Sequence, residues 1–398
     1  MDRRSFLVGA GVLALAQLAS GCSSSEKAAL RVQLLKNSIP AQLVGEFRRG
    51  LNQPATLKFD PVEQLKELFN RLQTWKQQTE KKDIQQQWRL PFIGGKTPAI
   101  ADLVTLGDYW LETAIRQKLI QPLVIKELQG WQQLPRRWQQ LVERDNQGQL
   151  SDSGLVWGAP YRWGSTVIAY RRDKFEELGW TPTDWSDLWR PELRDRISLL
   201  DHPREAIGLV LKKLGYSYNT TNLTEIPNLR KELLALHQQV KLYSSQSYLQ
   251  PMILEDTWLA VGWSTDILPA QSSYRQIEAV VPLSGTALWA DLWVQPTSLA
   301  TQSNSVAVET GERQSLMQQW IDFCWQPKPA REISLFSNAA SPIITSINPA
   351  DLPEDFRKHP LLLPDSSVLD RSEFLKPLPE SAVQQYQSLW NEIRSYTI

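Results

Sequence analysis

Short apolar runs alternate along this chain with stretches whose apolar residues recur at helical spacing, and that alternation limits the fold more than any single residue does. Leu30 to Leu35 is a candidate strand, and from Pro40 a helical pattern puts Leu43, Val44 and Phe47 on one face. Ala55 to Phe59 reads as a second strand. Pro61 then opens a long helix with Val62, Leu65, Leu68, Phe69 and Leu72 at helical spacing. Ala101 to Leu106 is a third strand, again with a helix after it. Strand alternating with helix predicts an α/β architecture with parallel sheet, because each helix covers the face of the strands it connects.

Two later segments break the alternation. Val156 to Tyr170 holds two strand-like pieces around Pro160-Tyr161-Arg162-Trp163-Gly164, and Leu288 to Val294 is a second apolar run. Both read as crossings between two lobes. Between them lie strands at 196–200, 258–263 and 277–281 and helices at 204–214 and 223–239. Helices at 312–325, 326–336 and 380–395 follow. Two crossings make each lobe discontinuous: residues 28–159 with 289–342, and residues 160–288 with 343–398. Ligands of open α/β sheets bind at the carboxyl ends of the strands, here between the lobes.

Residues 1–22 read as an address. Arg3 and Arg4 precede an uncharged stretch, Val8 to Gly21, that is too short to span a bilayer, which takes about 20 apolar residues. Small residues lead to Cys22 and three serines. The pattern resembles a twin-arginine export signal ending in a lipobox, with Cys22 acylated and the chain tethered on the periplasmic side of the cytoplasmic membrane.

Lys plus Arg and Asp plus Glu stand at 43 each, which argues against a nucleic-acid surface. Beyond Cys22 only Cys324 remains, in a run that reads as a buried helix face. The three histidines are scattered, and HExxH, CxxC, glycine-rich phosphate-loop and Gly-x-Ser-x-Gly patterns are missing. No metal site, cofactor or catalytic residue is therefore assigned, and an enzyme is not expected.

From Gly158 to Asn222 the chain carries a Pro-Tyr-x-Trp-Gly-x-Thr turn, a Trp-x-Asp-Leu-Trp-x-Pro-Glu run and an Asp-x-x-Arg-Glu segment leading to Leu-Gly-Tyr-Ser-x-Asn-Thr. Outside this block, Ala101-Asp102-Leu103-Val104, Val261-Gly262-Trp263-Ser264 and Trp289-Ala290-Asp291 extend the likeness. These residues resemble the periplasmic spermidine/putrescine-binding proteins, members of the bacterial family 1 solute-binding proteins. The resemblance implies a type II periplasmic-binding fold and delivery of the ligand to an ABC importer of two permease chains and an ATPase; a monomer is expected. It also implies that Trp263, Trp289, Asp291, Glu205 and Tyr109 grip a polyamine.

The chemistry fits. Ammonium groups take charge-assisted hydrogen bonds from carboxylates, and methylenes and cations both suit an aromatic face. Trp289 and Asp291, one residue apart on a strand, share a face. His202 stands where such proteins place a second carboxylate, and the aromatic residues expected after the first strand are replaced by Asn37-Ser38-Ile39-Pro40. These departures point to a shorter amine, a monocation or a ligand of mixed polarity. Asp266 and Asp108 are spare anions. Arg162 and Arg204 leave an anion open as an alternative, beside a thiamine-like cation, a ferric ion, or a scaffold that transports nothing.

Overall fold

The computed structural model describes residues 29–87, 100–297, 304–357 and 359–396. Cys22 and the export signal lie outside the described residues. In the first lobe, β1 (Ala29–Leu35) alternates half-buried and buried positions, with Leu30, Val32 and Leu34 inward. α1 (Ala41–Gly50) leads to β2 (Thr56–Val62), and α2 (Leu65–Gln87) precedes β3 (Leu103–Gly107). All three strands are parallel, with β1 in the middle. The second strand runs on through Pro61 and Val62, where a helix start was expected. β2 is the sheet edge, so the N–H that Pro61 lacks costs no ladder bond.

Two long strands depart from the parallel rule. β4 (Ala159–Arg171) runs antiparallel to a later strand and passes from one lobe into the other. Tyr161 and Trp163, near its start, pack in the first core; Val167, Ile168 and Ala169, near its end, pack in the cores of the second lobe. The changeover therefore falls beyond Trp163, later than the expected boundary after residue 159. Pro160 cannot donate to the ladder, and the register slips there, leaving Tyr161 unpaired in the ladder and stacked on Trp293 at 4.2 Å between ring centroids.

The second lobe continues through β5 (Ile197–Leu199), α3 (Pro203–Lys213), α4 (Leu229–His237), β6 (Val240–Tyr243), β7 (Leu259–Trp263), α5 (Ser264–Ser273) and β8 (Ile277–Val280). The helix expected over 223–239 is instead a short 3-10 turn followed by α4. Pro227 and the left-handed Asn228 (φ 61°) interrupt it. Alternate residues of β7 face opposite sides of the sheet: Leu259 and Val261 join the core under α3 and α4, and Ala260 joins the core that also contains Ile267 of α5.

β9 (Ala287–Pro296) returns to the first lobe, pairing antiparallel with both β3 and β4. The strand order is β2-β1-β3-β9-β4-β7-β5-β6, with β8 also on β4. α6 (Asn304–Cys324) and α7 (Pro327–Ser337) cover the first core, and α8 (Glu380–Arg394) closes the second lobe. The tail, expected wholly in the second lobe, divides its packing. Ile343, Ile344, Leu352 and Phe356 join the first core, and Leu361, Leu362 and Val368 the second lobe. Glu373 and Phe374 then pair with Ala287 and Leu288 as a further strand at the crossing. Cys324 is fully buried, and burial pushes its thiol pKa upward. Among the described residues, no helix is long and apolar enough to cross a membrane.

Trp320 of α6 ties the first lobe together. It is fully buried, and its ring meets Phe47 of α1 at 5.1 Å, Phe59 of β2 at 4.7 Å and Trp293 of β9 at 6.1 Å. Trp320→Ala should lower stability by about 3–5 kcal/mol in urea denaturation, through lost burial and the cavity left behind. A loss under about 1 kcal/mol would show that this ring is not a keystone of the core.

Candidate ligand cleft between the lobes

The register of the crossing strands builds the site. On β4, Arg162 lies opposite Asp291, Gly164 opposite Trp289, and Thr166 opposite Trp263 of β7. Positions two apart on a strand share a face, as do cross-strand partners, so these six residues line one face of the crossing. Four steps from Arg162 to Thr166 at about 3.4 Å each spread the row over about 14 Å.

At the second-lobe end stands Trp263, half-buried at the end of β7. Its indole Nε1 donates to Glu205 Oε1 at 3.4 Å, and its backbone N–H donates to the Tyr248 hydroxyl at 3.0 Å. Tyr248 in turn donates to Asp266 Oδ2 at 2.9 Å. Glu205, in the first turn of α3, is buried and also accepts from the Thr166 hydroxyl at 2.9 Å. Burial raises the Glu205 carboxyl to about 7, with the bonds from Thr166 and Trp263 pulling the other way. Asp266, one turn past Trp263, supports the tryptophan through Tyr248. A Cβ on Gly262 would meet the Tyr248 ring at 1.8 Å, so only glycine lets that ring approach.

At the first-lobe end stands Trp289, half-buried on β9 and directly over Gly164. A Cβ on Gly164 would lie 2.3 Å from Trp289 Cζ2. Asp291 is buried, and its Oδ2 accepts from Arg162 Nε at 2.7 Å and Nη2 at 2.6 Å. Asp291 Oδ1 and Trp289 Nε1 are buried atoms with no hydrogen-bond partner among the described residues. Asp108, at the end of β3, accepts from the Ala290 N–H at 3.0 Å, and burial raises its carboxyl to about 7.

Tyr109 and His202 meet across the lobes. Each follows a parallel strand, β3 and β5, and their rings touch edge to face at 5.7 Å. Tyr109 is 59% exposed. Burial lowers the His202 imidazole to about 4, with nearby Arg204 adding to the effect, so the ring is neutral near pH 7. Arg204, a candidate for holding an anion, is engaged elsewhere, donating to the carbonyls of Lys376 and Tyr218 and to Asn219 Oδ1.

Thus Trp263, Glu205 and Asp266 form one linked group, Trp289 lies beside Asp291, and Tyr109 meets His202. Sequence reading missed Gly164, Thr166 and Tyr248, which hold the tryptophans and Glu205 in place. The Gly-x-Thr spacing of the Trp-Gly-x-Thr turn was a usable signal for the first two; nothing in the sequence singled out Tyr248.

A model of the bacterial extracellular solute-binding proteins matches residues 99–369, more than half of the chain. A putrescine/cadaverine-binding protein of Pseudomonas aeruginosa is 26% identical over 256 residues, covering 61% of this chain and 68% of that one. A spermidine/putrescine-binding periplasmic protein of Salmonella typhimurium is 24% identical over 291 residues, covering 72% and 77%. Among solved structures, a spermidine/putrescine ABC transporter substrate-binding protein from Streptococcus pneumoniae superposes with a TM-score of 0.72 at 19% identity, covering 92% of this chain and 98% of that one. The fold is that of the periplasmic binding proteins, and the chain belongs to the bacterial extracellular solute-binding proteins.

Proposed function

We propose that this chain is the substrate-binding component of an ABC importer, and that it captures a polyamine such as putrescine or spermidine, or a related small cation, between its lobes. The observation that carries the reading is the row of Trp263 and Trp289 on one face with buried carboxylates at its ends, Glu205 and Asp291. Aromatic faces suit methylenes and cations, at roughly 0.5–2 kcal/mol per cation contact. Carboxylates supply the charge-assisted bonds an ammonium needs. The names of the similar proteins support the same ligand class. The protein works as a receptor and not as an enzyme, closing its lobes on the ligand and presenting the closed shape to two permease chains and their ATPase. It acts as a monomer, exported by the twin-arginine-like signal and anchored through acylated Cys22 on the periplasmic side of the cytoplasmic membrane; Arg3, Arg4 and the small residues before Cys22 support this.

A thermal-shift screen of residues 23–398 against putrescine, spermidine, amino acids, thiamine and ferric citrate tests the ligand class. A true ligand at 100 times its Kd adds about 2.7 kcal/mol of stability. Gly164→Ala should weaken amine binding at least tenfold by driving Trp289 off its seat. If only anions raise the midpoint, the reading is wrong.

Affinity should depend on pH with a defined sign. Glu205 and Asp108 titrate near 7 in the folded protein, and an ammonium favours their ionised forms. Amine affinity should therefore rise with pH through about 7, by up to tenfold per unit for each linked proton, and level off above it. The same raised values work against stability, since the stabilising contribution of the protonated groups is present at low pH and is lost as pH rises through about 7. Calorimetric titrations at pH 6 and 8 read the affinity trend, which should flatten in Glu205→Gln. An affinity that falls over this range would contradict the proposal.

Cys22→Ser should abolish labelling by a radioactive or alkyne fatty acid and move the protein from the membrane to the soluble fraction. Continued labelling of the variant would remove Cys22 as the anchor.

A further inference from the structure

The first-lobe carboxylate of the cleft is not a free anion. Asp291 Oδ2 takes two N–H groups of Arg162, at 2.7 and 2.6 Å, and both side chains are buried. Arg162 is further placed by Nη1, which donates to the Ser337 carbonyl at 3.4 Å, and its Cζ lies 5.9 Å from the centre of the Trp289 ring. The second wall of the site therefore already has a cation beside it. Whether the Asp291 carboxyl is ionised or protonated, the pair carries no net negative charge. Asp291 keeps one unfilled acceptor, Oδ1, and Trp289 keeps one unfilled donor, Nε1.

The other carboxylates differ. Asp108 Oδ1 is engaged by the Ala290 N–H and Asp266 by the Tyr248 hydroxyl. Glu205 holds the half-exposed Trp263 through Oε1 and the Thr166 hydroxyl through Oε2, and the guanidinium of Arg204, its neighbour in sequence, is turned to Lys376, Tyr218 and Asn219. An ammonium laid along the row therefore meets, at the Glu205 end, a carboxyl whose ionised form it favours. At the Asp291 end it meets a pair without net negative charge, offering a lone acceptor beside an indole N–H.

We propose that Arg162 sets the charge of the ligand: by holding Asp291 in a buried pair, it selects a small amine with one ammonium group, seated at Glu205, and an uncharged hydrogen-bonding group, seated at Asp291 and Trp289. This deepens the proposed amine-receptor reading and rests on it. A second ammonium would gain no net anion at the far end and would approach the Arg162 cation, so a diamine has no advantage over the matching amino alcohol.

Calorimetry with 4-amino-1-butanol and 1,4-diaminobutane, which differ only in the second polar group, tests the assignment on the purified protein. The expected result is that the wild-type protein favours the diamine by less than fivefold, or favours the amino alcohol. Arg162→Gln, which keeps a donor to Asp291 but removes the charge, should shift the ratio of the two dissociation constants at least tenfold toward the diamine. Arg162→Lys, which keeps the charge, should hold the wild-type ratio. A wild-type preference for the diamine of fivefold or more overturns the proposal, as does an unshifted ratio in a folded Arg162→Gln protein, checked by circular dichroism. If Arg162→Gln does not fold, the wild-type and Arg162→Lys ratios decide. If neither amine binds the wild-type protein, the amine-receptor reading itself fails, an outcome distinct from loss of the Arg162 assignment alone.

Discussion

The pairing of β4 with β9 is the constraint on which the rest of the structure depends. These strands lie side by side at the passage between lobes, and both carry core residues there: Trp163 and Ala290 in the first lobe, Ile168 and Ala287 in the second. Because strand side chains alternate, the opposite face of the same residues is free to form the cleft. Burying Trp163 on one side therefore dictates that Arg162 and Gly164 face the other. A slip of one residue in the register would send Trp289 and Asp291 into the core and bring Ala290 to the ligand face. The ladder that joins the lobes and the row that lines the proposed site are one object.

Much of the fold is legible in the sequence because strand and helix differ in period, and the elements here mostly keep to one period each. The departures have local causes. Pro61 reads as a helix opener, yet it sits on an edge strand where its missing N–H is harmless. The helix read over 223–239 is divided by Pro227 and Asn228. The parallel order expected from strand–helix alternation fails at the two crossing strands, which run antiparallel to each other and to their neighbours β3 and β7.

The site was legible to the extent that motif residues carry it. Trp263 ends its strand, Glu205 lies in the first turn of α3, and Trp289 and Asp291 lie in the first half of β9 at the crossing. What the sequence hides is pairing at long range. Arg162 and Asp291 are 129 residues apart, and only the ladder register brings them opposite one another. Without that register Arg162 reads as a stray cation and Asp291 as a free anion. The bond between Trp263 and Glu205 spans 58 residues and is equally invisible along the chain. His202, by contrast, is readable as the loss of a carboxylate and as at best weakly cationic, and its burial explains why its imidazole stays uncharged.

The short strand at Glu373 and Phe374, paired alongside the start of β9, has a mechanical consequence. With it, three stretches of backbone lie abreast where the lobes meet, and Glu373 is also clasped by Lys212 of the second lobe at 2.7 Å. A joint made of one strand could swivel in any direction. Three abreast behave like a door hinge with several knuckles. They bend more readily about the line running across them than they twist or shear, so any movement of one lobe against the other is confined to a single arc.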